Sequence, residues 1–131
     1  MAIVVTSAVL DSLLAAARTA HRYECCGLLF GSAAEITAAS PAANVHPTPE
    51  THFEIDPQAL IDAHRAMREG GPRLLGYYHS HPCGPPKPSA TDRALAARDG
   101  NIWALVGEGR VELWRAGEDG MEPLPYRVLR A

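Results

Sequence analysis

The chain has no apolar run approaching the roughly 20 residues that cross a bilayer, and no cluster of lysine and arginine that could track a phosphate backbone. With a net charge of −3, the missing basic stripe argues against a general nucleic-acid binder. The opening Met1-Ala2-Ile3-Val4-Val5 lacks the basic region and the long apolar stretch of a secretory leader. Cysteine is scarce. Three residues, Cys25, Cys26 and Cys83, cannot make a closed disulfide framework, which fits a reducing cytoplasm. Cys25 and Cys26 are adjacent and would face opposite sides of a strand, so packing is expected of at least one. Internal repeats and low-complexity tracts are also missing. What remains is 47% hydrophobic residues, ample for one core, in 131 residues, the length of a single domain (1–131).

Hydrophobic spacing predicts a mixed sheet with helices against it, an α+β domain. Ile3–Val5 reads as a first strand, and Ser7 is expected to cap a helix carrying Leu10, Leu13, Leu14 and Ala17 at helical spacing. Strands are expected over 27–31 and 35–39, then a loop over 41–50 with three prolines, then extended chain over 51–55. Asp56-Pro57 predicts a second helix with Leu60, Ile61, His64 and Met67 on one packed face. Arg73–Tyr78 reads as a buried strand, 89–98 as a helix, 102–106 and 111–114 as a hairpin, and Tyr126–Leu129 as a last strand. Trp103 and Trp114 are expected to pack the sheet. His21 reads as a helix-end residue, and His46 and His52 as loop histidines near a substrate channel.

Chemistry concentrates in Tyr78-His79-Ser80-His81-Pro82 and Ser89-Ala90-Thr91-Asp92. Residues i and i+2 of a strand share a side, so both imidazoles can face one metal. Pro82 ends the pairing, and Asp92, in the first turn of the next helix, can point back to the strand end. Two imidazoles and a carboxylate make a three-ligand set for a divalent metal, zinc above all, with a fourth position left for water as in catalytic sites. Taken singly, each piece has an ordinary reading. A His-x-His pair can be a surface pair, and Ser89-x-x-Asp92 resembles a helix capping box. Ser89 can cap the helix and also serve a site at its mouth.

A zinc hydrolase needs a base for the metal's water. Glu24, where a helix ends and the strand Gly27-Leu28-Leu29-Phe30-Gly31 begins, is the candidate, and a solvated loop glutamate is its ordinary reading. Glu24-x-Cys-Gly-Leu-Leu-x-Gly, then His79-Ser-His81-Pro, seven residues, and Ser89-x-x-Asp92 resemble the JAMM/MPN-plus (Mov34/MPN/PAD-type) zinc metalloproteases. The resemblance implies a curved mixed sheet flanked by helices, of the JAMM/MPN, cytidine-deaminase-like kind. It also implies one zinc per chain on His79, His81 and Asp92, with Glu24 as general acid/base and Ser89 holding the oxyanion.

The short segment between the motifs, with Asn44-Val45-His46 and Phe53-Glu54-Ile55-Asp56-Pro57, is similar to that of bacterial stand-alone members. These resemble peptidases that act on ubiquitin-like sulfur carriers of the ThiS or MoaD kind, cleaving after a C-terminal Gly-Gly. Cys83 departs from the small polar residue that pattern has after His-Pro and is a candidate regulatory position. Competing readings are a zinc hydrolase of a small amide and a non-catalytic scaffold of the same fold; the second is disfavoured because all the ligand residues are kept. Neither a nucleic-acid nor a membrane partner is expected, and the expected compartment is the cytoplasm.

Overall fold

The computed structural model describes residues 3–131; Met1 and Ala2, part of the segment read above as no leader, lie outside them. Thr6 switches the chain from strand to helix. It ends β1 (Ile3–Thr6), and its hydroxyl accepts from Val9 N at 3.3 Å to cap α1 (Ser7–Ala20). The cap is therefore Thr6 and not Ser7, which lies inside the first turn. The packed face of α1 is the expected one, with Val9 and Leu13 buried and Leu10, Leu14 and Ala17 against the core.

β2 (Cys26–Ser32) and β3 (Glu35–Ala42) form an antiparallel pair. β3 runs past the expected end at Ala39 and takes in Pro41. It can do so because β1 pairs only with Glu35 and Ile36, leaving that flank of β3 unpaired at Pro41. The expected extended run over 51–55 is reduced to a single bridge between Asn44 and Ile55. α2 (Pro57–Arg68) starts as its sequence predicts, with the Asp56 carboxylate accepting from Gln58 N and Pro57 at the first position. Its inward face is rotated from the expected one. Ala63 is buried and Leu60 and Met67 half-buried, while Ile61 and His64 are exposed, so His64 does not pack.

β4 (Arg73–Ser80) leads through a loop to α3 (Ala90–Leu95), which stops three residues short of the expected Arg98 because Ala96 turns extended. β5 (Ile102–Gly107) and β6 (Arg110–Gly117) are joined through Glu108 and Gly109, both at positive φ (53° and 75°), as a tight two-residue hairpin turn requires. β7 (Gly120–Pro123), not expected from sequence, folds back on β6, and β8 (Tyr126–Leu129) pairs with β1.

All eight strands belong to one mixed sheet in the order β7-β6-β5-β4-β2-β3-β1-β8. β1/β3, β1/β8 and β4/β5 are parallel and the other neighbours antiparallel. β4 therefore sits mid-sheet, between β2 and β5, and its C-terminal end opens beside the start of β2. β5 is buried along its whole length, and its residues alternate between two cores. Ile102, Ala104 and Val106 join Val5, Leu13, Leu29 and Tyr78 in one core, with α1 residues packed in it. Trp103 and Leu105 join Ala116 and Met121 in the other, with Phe53, Tyr77 and Trp114 against them. No described helix is long and apolar enough to cross a membrane.

Two glycines allow the central strands this approach. A Cβ on Gly27 would strike the Tyr78 ring and the Ser40 carbonyl, and one on Gly76 would strike the Ile102 carbonyl across the β4/β5 pair. Backbone cannot yield as a side chain can. Gly76→Ala should therefore lower stability by about 1–3 kcal/mol or more, read as a lower urea midpoint; a midpoint unchanged from the parent would show that β4 and β5 are not packed as described.

Candidate active site

The end of β4 does what its alternation predicts. His79 is fully buried, and its ring lies in the second core, stacked on Phe53 (centroids 4.0 Å apart) and edge-on to Trp103 (5.6 Å). His81 follows on the same side, partly open, with its ring 5.0 Å from that of His79. Ser80 points the other way and ties β4 to the residue after Glu24. Its hydroxyl accepts from Cys25 N at 2.9 Å, and its own N–H donates to Cys25 O at 3.0 Å.

Asp92 closes the arrangement from α3. Ser89 Oγ accepts from Asp92 N, and Asp92 Oδ2 accepts from Ser89 N, both at 3.0 Å, which completes the capping box. The same Oδ2 lies 3.2 Å from His79 Nε2 and 3.1 Å from His81 Nε2. The cap reading holds for both residues, and the capping geometry also leaves Asp92 Oδ2 against the two imidazoles.

The proton count at His81 says what belongs between these atoms. His81 Nδ1 is 2.9 Å from the Pro85 carbonyl, which can only accept, so Nδ1 carries the hydrogen. In a neutral ring Nε2 then has a bare lone pair, facing a carboxylate oxygen at 3.1 Å. Two acceptors at that distance repel unless a cation, a proton or a metal ion, lies between them. A histidine that donates its other ring nitrogen to a carbonyl is the usual form of a metal ligand. His79, His81 and Asp92 offer ligand atoms all within 4.8 Å of one another, and this donor set fits a divalent cation. His79 departs from the usual form in one respect: its Nδ1 is buried with no hydrogen-bond partner among the described residues.

The charges follow the same logic. Burial holds His79 below the ordinary imidazole range, more than its bond to Asp92 can offset. Burial also works against charge on His81, but the Asp92 bond and the Pro85 carbonyl outweigh it and raise the ring above its ordinary value. Burial would raise Asp92, yet the bonds from both imidazoles hold its carboxyl well below the carboxylate range. Glu24 is 8% exposed, just before β2, and burial pushes it up to about 7, with His81 opposing and Asp92 adding to the rise. A carboxyl group with a pKa there can both take and return a proton near neutral pH.

Glu24, His81 and Ser89 line one open depression of about 240 Å³, together with Glu50, Thr51, Pro82, Cys83 and Gly84. Every candidate site residue read from sequence thus has a place at or beside this mouth, Cys83 on its exposed rim. Cys26 is buried and Cys25 half-buried. Burial pushes the Cys26 thiol up to about 12 and also raises Cys25, so neither is a ready metal ligand. His46 and His52 stack on each other (4.7 Å) in the loop after β3, apart from the His79–His81–Asp92 cluster. Sequence reasoning assigned no role to Ser80, Phe53, Pro85 or the side chain of Asn44, although three of them lie in segments it singled out. Pro85 offers only a carbonyl, which no residue pattern marks, whereas Ser80 sits inside the motif, where strand alternation places it opposite the histidines.

Residues 6–117 match the family described as prokaryotic homologs of the JAB domain. The chain is 37% identical over 108 residues to a desampylase of Haloferax volcanii, covering 77% of this chain and 78% of that one. Over 64 residues it is 44% identical to a Thermus thermophilus protein named "probable TtuB-protein conjugate cleaving protease", covering 49% of this chain and 43% of that one. A JAB1/MPN domain protein of Archaeoglobus fulgidus superposes with a TM-score of 0.65 at 21% identity, covering 98% of each chain. The chain belongs to the prokaryotic JAB family, within the JAMM/MPN fold class expected from its motifs. It is a hydrolase of the protease kind, with a His79–His81–Asp92 cluster suited to a metal.

Ser80→Ala leaves the part-buried Cys25 N–H without its acceptor and should cost about 1 kcal/mol or more. Ser80→Thr, which keeps the hydroxyl, should recover most of it. Thermal melts of the two variants check this, and equal melting temperatures for Ala and Thr would show that the bond is not what Ser80 contributes.

Proposed function

We propose that the protein is a zinc metallopeptidase that hydrolyses the amide bond following the C-terminal Gly-Gly of a ubiquitin-like sulfur-carrier protein. The observation that carries this reading is the convergence of His79, His81 and Asp92 at the base of a mouth that Glu24, His81 and Ser89 line. His79, His81 and Asp92 would hold one zinc. Bound there, zinc supplies a Lewis acid that polarises a carbonyl and lowers the pKa of water to about 7.

The remaining work falls to the chain. Glu24 takes the proton from the attacking water and returns it to the leaving amine, a role that its buried carboxyl at the mouth suits. Ser89 Oγ already spends one lone pair on Asp92 N, so its O–H is free to donate to the oxyanion. Phe53 and Trp103 keep water from the far side of His79. Substrate enters between the 43–56 loop, which contributes Glu50 and Thr51, and the 82–88 loop, which contributes Pro82, Cys83 and Gly84. Glycine, which has no side chain, is the residue most readily accommodated where an extended backbone passes between two such loops. The relatives named for desampylation and for cleaving a protein conjugate support a ubiquitin-like partner.

Three measurements test the reading. Elemental analysis should find one zinc per chain in the parent and in Glu24→Gln, and a loss of zinc in His79→Ala, His81→Ala and Asp92→Ala; full activity in metal-free protein would overturn the mechanism. Glu24→Gln should retain zinc and fold but lose turnover by about 10²–10⁴-fold, and a variant that keeps most of its rate would remove Glu24 as the base. A carrier bearing a short extension after its Gly-Gly should be cut at that junction, read as product masses. Cleavage of unstructured casein-like chains with the carrier left intact would contradict the substrate and leave the chemistry standing.

A further inference from the structure

We propose that Asn44 is a positioning residue for Glu24: it fixes the backbone that carries the base and locks that backbone to the loop packed on His79. The inference rests on the reading of Glu24 as the base. Glu24 lies before β2 begins, so the sheet's own hydrogen bonds do not hold it. Its own N–H and carbonyl are held by the 43–56 loop, while Ser80 of β4 holds the N–H of the next residue, Cys25. The Glu24 N–H donates to Pro49 O at 2.7 Å, and its carbonyl accepts from Asn44 Nδ2 at 2.9 Å.

The other three sites of the Asn44 amide are filled as well. Nδ2 donates to His52 O at 3.0 Å, and Oδ1 accepts from His46 N at 3.1 Å and Glu54 N at 3.0 Å. Two donors and two acceptors are the whole capacity of an amide side chain. Aspartate has the same shape but neither donor, serine can donate only once, and glutamine is a methylene too long. Around Asn44 the two arms of the loop are closed by Val45 N to Glu54 O at 2.9 Å and Asp56 N to Ala43 O at 3.1 Å. The arm so fixed carries Phe53, whose ring stacks on His79. One half-buried side chain therefore joins the carbonyl of Glu24 to the arm that packs on His79, where Pro49 and Ser80 hold only the flanking N–H groups. Displacement of a reacting group by about 1 Å can cost on the order of 10²-fold in rate.

A simple loop clamp would show the same hydrogen bonds, so the test must separate stability from base placement. The full-length, zinc-loaded enzyme, Asn44→Asp, Glu24→Gln and the double variant are compared on an extended carrier, by steady-state kinetics and by single turnover with enzyme in excess. Asn44→Asp should lower kcat by about 10²-fold, with KM within a few-fold and zinc content unchanged. In the Glu24→Gln background it should cost no more than about 3-fold further, since groups that act as a unit are not additive. Asn44→Ser takes its place if the aspartate variant does not fold. An equal loss in both backgrounds, a change confined to KM, or no loss at all would overturn the proposal. A Glu24→Gln enzyme that keeps its rate would instead sink the base assignment, so the two failures are distinguishable.

Discussion

One carboxylate oxygen organises this end of the molecule. Asp92 Oδ2 meets His79 Nε2, His81 Nε2 and Ser89 N, each within 3.2 Å. With His81 Nδ1 committed to the Pro85 carbonyl, the cluster is at ease only with a positive charge in its centre. Without one, the lone pair of His81 faces a carboxylate in a partly buried place, where screening is weak. The same requirement explains why a helix as short as α3 can persist. Six residues make little helix on their own, but this one begins at a capping box whose aspartate is tied to β4.

The sheet delivers the two imidazoles, and the alternation of β4 separates the tasks. His79 and His81 go to one face and Ser80 to the other, where it grips Cys25. Because β4 lies mid-sheet, with β2 and β5 on either side, the histidines stand on the best-supported strand of the fold. Glu24 has the opposite foundation. It sits where α1 gives way to β2, its own N–H and carbonyl held by loop atoms, so the proposed metal ligands stand on regular structure and the proposed base largely on hydrogen bonds from an irregular loop.

That difference also decides what could be read in advance. His-x-His at a strand end, Ser-x-x-Asp at a helix start and Asp56-Pro57 at another are local, and local periodicity foretells them. Glu24 could be nominated because a carboxylate beside a buried strand needs a partner, but its support could not. The bonds of Asn44 to residues 24, 46, 52 and 54 depend on how a proline-rich loop folds back, which no periodicity encodes. The rotation of α2 was misread for a related reason. Leu60, Ile61, His64 and Met67 mark a plausible apolar stripe, but the buried residue of the helix is the small Ala63, and a small residue carries little weight in a hydrophobic pattern. β7 was missed because Gly-Met-Glu-Pro has no strand signature of its own and exists as the return of β6.

The most direct measurement is X-ray absorption at the zinc edge of the zinc-loaded enzyme. Two imidazoles, one carboxylate and a solvent molecule predict a first shell of nitrogen and oxygen at about 2.0–2.1 Å, with imidazole scattering for two rings. A sulfur shell at about 2.3 Å would show that a cysteine such as Cys83 holds the metal, scattering from a single ring would show that one imidazole does not, and either result would contradict the proposed His79–His81–Asp92 centre.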